Sequence, residues 1–137
     1  MSSDTVPSYD AQAIVGAISA VLPAVGLVIL FGSVARGTAR PDSDIDIAVL
    51  ADRPLDASAK MNLIESLALQ SGRSVDLIDL RTVGEPLLGK ILAEGIPLID
   101  KGHHRGALLA RHLGNAEDFI PLQEFILRSR RQAWTRQ

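Results

Sequence analysis

The sequence contains no cysteine, one tryptophan and no large excess of either charge. Without cysteine, the chain has no disulfide framework, no thiolate zinc site and no thiol nucleophile. Its formal net charge is −2, whereas a general polyanion binder is normally basic. Only 4% of the residues are aromatic, too few to form a stacking platform for single-stranded nucleic acid. We therefore expect no direct binding of nucleic acid.

Charged residues are also missing from positions 11–35, a stretch long enough to span a bilayer. Pro23 and Gly26 interrupt it, and the preceding residues include Asp4 and Asp10 but no lysine or arginine. A secretory signal peptide starts with basic residues, so this flank argues against one. We predict a helix followed by a buried strand, in a soluble, cytoplasmic protein that does not enter a membrane.

The apolar pattern predicts one domain of alternating helices and strands. Apolar residues at helical spacing predict helices from an N-cap at Ser8 to a stop at Pro23, and over residues 57–70, 83–94, 104–113 and 118–134, with Gly95 as a C-cap. Aliphatic runs predict strands over residues 25–31, 45–50, 74–80 and 96–99. The first strand is apolar throughout, which predicts burial on both faces, and Pro97 is typical of an edge strand. This order favours an α/β or α+β sheet domain with a helical tail.

Carboxylates enter the second predicted strand shortly after the first one ends. Gly32 and Ser33 end the first strand, and ten residues separate them from Asp44 and Asp46. Side chains alternate along a strand, so these two aspartates lie on one face, roughly 6–7 Å apart. They repel each other unless a cation lies between them, and Mg²⁺ prefers such oxygen ligands. Asp76 in the third strand is a candidate third ligand for a two-metal site.

Each of these features alone has a simpler explanation. A glycine and serine after a strand commonly form only a turn, and aspartates beside Ser43 commonly cap one. Asp76 by itself suits an edge strand, where a charge prevents aggregation. Asp79 competes with Asp76 for the third position, because the two point to opposite faces of a regular strand and a bulge would reverse the choice. Together, the carboxylates on buried strands favour a functional site.

Residues 31–49, FGSVARGTARPDSDIDIAV, resemble the nucleotidyltransferases of the DNA polymerase beta superfamily. Within that superfamily they are similar to the minimal nucleotidyltransferases, the MntA-type antitoxins encoded beside HEPT-domain toxins. The resemblance continues through residues 75–80, VDLIDL, and covers roughly residues 10–100. It implies a polymerase-beta-like fold, with a mixed sheet flanked by helices.

The resemblance also implies a reaction. A hydroxyl attacks the α-phosphate of a nucleoside triphosphate, expected to be ATP, and releases pyrophosphate with the help of two Mg²⁺ ions. The expected acceptor is a tyrosine of a cognate HEPT-type ribonuclease toxin, which the modification silences. The implied metal ligands and catalytic residues are Asp44, Asp46 and Asp76, and the implied nucleotide-binding residues are Gly32 and Ser33, with Arg36 adding charge at the leaving pyrophosphate.

Residues 1–100 are expected to form the catalytic core and residues 101–137 a helical extension. The core has a net charge of −6 and the extension one of +4. The basic residues of the extension form either a solvated helix face or a docking surface for an acidic partner. Its last helix carries an apolar stripe that packs on the core or forms a dimer or toxin interface. His103, His104 and His112 are expected at a surface or interface rather than on a metal.

Two other functions remain open from the residues. One is an antitoxin that neutralises its toxin by binding alone, although intact carboxylates argue against lost catalysis. The other is a small-molecule nucleotidyltransferase resembling the antibiotic-modifying enzymes. Those enzymes need a further substrate domain or a subunit-interface pocket, and only 37 residues follow the expected core.

Overall fold

The computed structural model describes residues 9–102 and 104–115 of the chain. The helix predicted over residues 118–134 and the residue His103 lie outside this part. Helices and strands follow one another in the order α1 (Ala11–Val21), β1 (Leu27–Phe31), α2 (Gly32–Arg36), β2 (Ile45–Leu50), α3 (Ala57–Ser71), β3 (Val75–Asp79), α4 (Leu87–Glu94), β4 (Ile96–Asp100) and α5 (His104–Asn115).

The strands form one mixed sheet in the order β3-β2-β1-β4. Strand β1 runs antiparallel to both β2 and β4, whereas β2 and β3 are parallel. The expected mixed sheet flanked by helices is therefore confirmed, and β4 is an edge strand as its proline indicated. In this register Asp46 lies beside Phe31 on one side and beside Asp76 on the other.

Strand β1 is buried on both faces, as its continuous apolar run predicted. Val28 and Leu30 belong to a core under α1 and α3. Leu27 and Ile29 belong to a second core, which α4 and α5 cover. Each fully buried aliphatic side chain contributes about 1.5–3 kcal/mol relative to an exposed one, so these cores hold the helices on the sheet.

Two helix starts differ from the prediction, and one helix was not predicted. The N-cap of α1 is Asp10, whose carboxylate accepts a hydrogen bond from the Ala13 N–H, so the assignment of Ser8 was wrong. Helix α4 begins at Leu87 rather than at residue 83, because Pro86 disfavours helical backbone in the residue before it. The short helix α2 was not predicted, since five residues are too few to show a helical period.

Gly95 ends α4 as predicted, but for a different physical reason. Its backbone is extended, with φ at −76°, rather than left-handed. A Cβ atom at this position would overlap the side chain of Ile29 on β1. Gly95 therefore provides space for the chain to pass close to the sheet.

In the described part of the chain, none of the helices is both long enough and apolar enough to cross a bilayer.

Candidate active site

The strand register brings two of the predicted carboxylates together. Ile45 and Ile47 point into the core under α1 and α3, so Asp46 projects from the opposite face of β2. Asp76 is its register partner on the parallel strand β3 and projects from that same face. Asp44 precedes Asp46 by two residues, at the exposed start of β2. All three carboxylates therefore lie at one end of one sheet face.

The ionised form of the Asp46 carboxylate is unfavourable in this position. Partial burial raises its pKa above the usual range, and the charges of Asp76 and Asp44 and a hydrogen bond with Asp76 raise it further. Arg36 acts in the opposite direction and favours the ionised form. A proton or a cation between Asp46 and Asp76 would therefore stabilise the site, because it would offset the repulsion between their carboxylates.

A divalent cation fits this donor set. The ligands are hard carboxylate oxygens whose mutual repulsion a cation would relieve. Within residues 9–102 and 104–115, no three acidic or histidine side chains are gathered closely enough to enclose an ion by themselves. Mg²⁺ is usually held by one or two carboxylates together with water and substrate phosphates, so an enclosed cage is not needed for it.

Gly32 forms the wall of the site next to Asp46. Its φ of 75° lies in the left-handed region, which side chains with a Cβ rarely adopt. A Cβ atom here would overlap the Oδ2 atom of Asp46. Both the conformation and the space therefore require glycine where β1 turns into α2. The buried side chain of Val34 anchors α2 to the core.

A cleft of about 280 Å³ opens beside Asp46. It is lined by Phe31, Gly32, Ser33, Arg36, Asp46, Leu87 and Lys90. Three residues predicted from the sequence to bind nucleotide therefore line one cleft with one predicted metal ligand. Leu87 and Lys90 were not predicted to belong to the site, because nothing in a helical pattern shows which distant element a helix will face.

The loop before β2 is held by Arg73, a residue that no sequence motif singled out. The Arg73 guanidinium donates hydrogen bonds to the carbonyls of Arg40 and Ser43, at 2.7 and 2.9 Å. The Ser43 hydroxyl oxygen in turn accepts from the backbone N–H of Arg40 at 2.8 Å. These contacts tie the loop to the start of β3, and so they hold Asp44 near the carboxylate pair.

Asp79 lies away from this site. Its side chain is buried, and its carboxylate accepts hydrogen bonds from the backbone N–H groups of Leu55 and Arg81 at 2.8 and 2.9 Å. It therefore holds the loops that follow β2 and β3.

The two described histidines both belong to α5 and do not line the cleft. His112 contacts Glu85 at 2.6 Å, and His104 lies against Gly26.

The raised pKa of Asp46 predicts a pH-dependent stability. A raised pKa means that the folded chain binds this proton more tightly than the unfolded chain, so the resulting stability is lost as the pH rises. Without divalent cations, we expect Asp46→Asn to be more stable than the wild type at pH 7. The gain is up to about 1 kcal/mol, since solvent screens this partly exposed group. Urea unfolding at pH 7 and at about pH 4 checks this: the difference should shrink at the lower pH, and a less stable variant at pH 7 would contradict it.

Comparison with known proteins gives consistent matches. The family model described as "Polymerase beta, Nucleotidyltransferase" matches residues 17–104. A protein of Shewanella oneidensis named protein adenylyltransferase MntA is 42% identical over 74 residues, which are 54% of this chain and 53% of that protein. The match thus spans about half the length of that relative.

Solved structures resemble the chain over most of its length. One chain of a toxin–antitoxin crystal structure with AMP-PNP is 29% identical in sequence to this chain. The alignment covers 93% of this chain and 96% of that chain, with a TM-score of 0.73. One chain of a complex of the tri-AMPylated Shewanella oneidensis HEPN toxin with the MNT antitoxin is 27% identical in sequence. The alignment covers 91% of this chain and 92% of that chain, with a TM-score of 0.65.

Proposed function

Since the chain belongs to the polymerase beta nucleotidyltransferase family, we propose that it transfers a nucleoside monophosphate from a nucleoside triphosphate to a hydroxyl group. The observation that carries this proposal is the contact of Gly32 with the carboxylate of Asp46 at the mouth of one cleft. A phosphate-binding turn and a carboxylate pair that needs a cation are the two parts that such a transfer requires.

In the proposed reaction, the acceptor hydroxyl oxygen attacks the α-phosphorus of the triphosphate. The bond breaks between the α-phosphorus and the oxygen that bridges it to the β-phosphorus, and pyrophosphate leaves. We assign acceptance of the hydroxyl proton to Asp76, which lies beside Asp46 in the sheet register. Gly32 and Ser33 bind the phosphates through backbone N–H groups and the serine hydroxyl, and Arg36 offsets the charge of the leaving pyrophosphate.

The proposed metal ligands are Asp44, Asp46 and Asp76. When bound, Mg²⁺ supplies charge neutralisation at the phosphates and favours ionisation of the attacking hydroxyl. Repulsion within the carboxylate pair supports this assignment, because a cation would offset the interactions that raise the pKa of Asp46.

We further propose that the nucleotide is ATP and that the acceptor is a tyrosine of a HEPT-type toxin, so that the chain acts as an antitoxin. The name of the Shewanella relative and the AMPylated toxin in one similar complex support this proposal. Fold and metal site do not select an acceptor, so this part rests on similarity. The open cleft beside an intact carboxylate pair favours catalysis over neutralisation by binding alone.

The test is transfer of radioactive label to a purified HEPT-type toxin from ATP labelled at the α- or the γ-phosphate, with Mg²⁺ present. We expect α-label on the toxin, no γ-label, and complete loss on chelation with EDTA. Transfer of γ-label would show a kinase instead. Toxin neutralisation without any label would show an antitoxin that acts by binding. Label on an aminoglycoside, with no protein acceptor present, would show a small-molecule enzyme.

A further inference from the structure

Helix α4 forms the wall of the cleft opposite Gly32 and Ser33. Leu87 and Lys90 both line the cleft, and they are three residues apart, so they share one face of the helix. Glu94 lies one further turn along and reaches Arg36 of α2 at 3.9 Å. One face of α4 thus presents Leu87 and Lys90 to the cleft and Glu94 to Arg36.

The two basic residues that line the cleft differ in their surroundings. Arg36 is opposed by Glu94, whose side chain is only 14% exposed, so part of its positive charge is already compensated. Lys90 is exposed and makes no salt bridge within the part of the chain that the structure describes. Its ammonium group is therefore the cleft's uncompensated positive charge among these residues.

Lys90 is also separate from the carboxylates across the cleft. Asp46 and Asp76 lie on β2 and β3, whereas α4, which carries Lys90, packs against β1 on the other side of β2 in the sheet. A polyphosphate whose α-phosphate lies at Asp46 would therefore extend its distal phosphates away from the carboxylates, towards α4. An ammonium group on a long flexible side chain suits such phosphates as a point charge.

We propose that Lys90 binds the β- and γ-phosphates of the nucleoside triphosphate, so that it selects a triphosphate over a monophosphate. This inference rests on the proposed function. A charge-assisted hydrogen bond of this kind changes affinity by about 10- to 100-fold. Lys90 is a binding residue in this assignment, so its removal acts mainly on the KM for ATP and less on kcat.

The experiment compares equilibrium binding of ATP and of AMP, with Mg²⁺ present, to the wild type and three variants. We expect Lys90→Met to weaken ATP binding at least about tenfold and to leave AMP binding nearly unchanged. Lys90→Arg keeps the charge and should restore most of the ATP affinity. The control, Lys60→Met, makes the same chemical change on α3, which covers the opposite face of the sheet, and should change neither affinity.

Each other outcome overturns the inference in a distinct way. Unchanged ATP binding by Lys90→Met would show that this lysine is merely solvated. Equal weakening of ATP and AMP would show that it acts on the α-phosphate or the nucleoside. If the wild type itself bound no ATP, the proposed function would fail together with this inference. Thermal unfolding of Lys90→Met should match the wild type, because the side chain is exposed.

Discussion

Replacing Asp46 by asparagine should lower nucleotide transfer by about 10³-fold or more while the chain stays folded. Asparagine keeps the volume of the side chain and its ability to form a hydrogen bond with Asp76, but it removes the charge that would hold the cation. Asp46 lies between Phe31 and Asp76 in the sheet, so another carboxylate cannot move into its place. The measurement is the initial rate of α-label transfer at saturating ATP and Mg²⁺.

Asp42→Asn provides the matched control for this loss. Asp42 is exposed in the loop that leads into β2, and the substitution makes the same chemical change four residues earlier. We expect its rate to stay within about twofold of the wild type, as for most surface substitutions. The single variant Asp44→Asn, like Asp46→Asn, should instead lose activity. Full activity in both of these variants would mean that the metal assignment is wrong.

Replacing Gly32 by alanine should be the second most damaging change. Adoption of the left-handed backbone costs an alanine about 1–2 kcal/mol, and its Cβ atom would also overlap the carboxylate of Asp46. Either the turn or the aspartate must move, and a displacement of about 1 Å at a reacting centre lowers rates by roughly 100-fold. We therefore expect both lower stability, measured by urea unfolding, and at least about 100-fold slower transfer.

Gly72→Ala separates the two causes. Gly72 ends α3 with a φ of 71°, close to that of Gly32, but a Cβ atom there would meet no atom within 4 Å. It should cost about the same conformational energy, roughly 1–2 kcal/mol, without slowing the reaction. If Gly32→Ala lost only as much stability as Gly72→Ala and kept its transfer rate, the close approach of Gly32 to Asp46 would have no catalytic importance.

Several features of the fold were predictable from short stretches of sequence. The run from Leu27 to Phe31 is apolar at every position, so no solvent-exposed face was possible, and the strand is buried on both sides. Asp44 and Asp46 are separated by one isoleucine, so strand alternation alone places them on one face. The edge position of β4 followed from Pro97, which lacks the N–H that a central strand needs.

Other features depended on contacts between distant segments. Alternation places Asp76 and Asp79 on opposite faces of β3, but it does not tell which face meets Asp46. The parallel pairing of β2 with β3 made that choice for Asp76, and the loops around Leu55 and Arg81 account for Asp79. Periodicity describes a single element, whereas register also depends on the packing of its neighbours.

The composition of the site shows the same division. A glycine and serine after an apolar strand, followed by two aspartates, predict phosphate and metal chemistry from the sequence alone, because those residue types are suited to it at any such turn. The cleft itself required α4 to fold back across the sheet and place Leu87 and Lys90 opposite Gly32. A local pattern specifies which side chains an element carries and how they are spaced along it, whereas the burial of both sheet faces determines which elements meet.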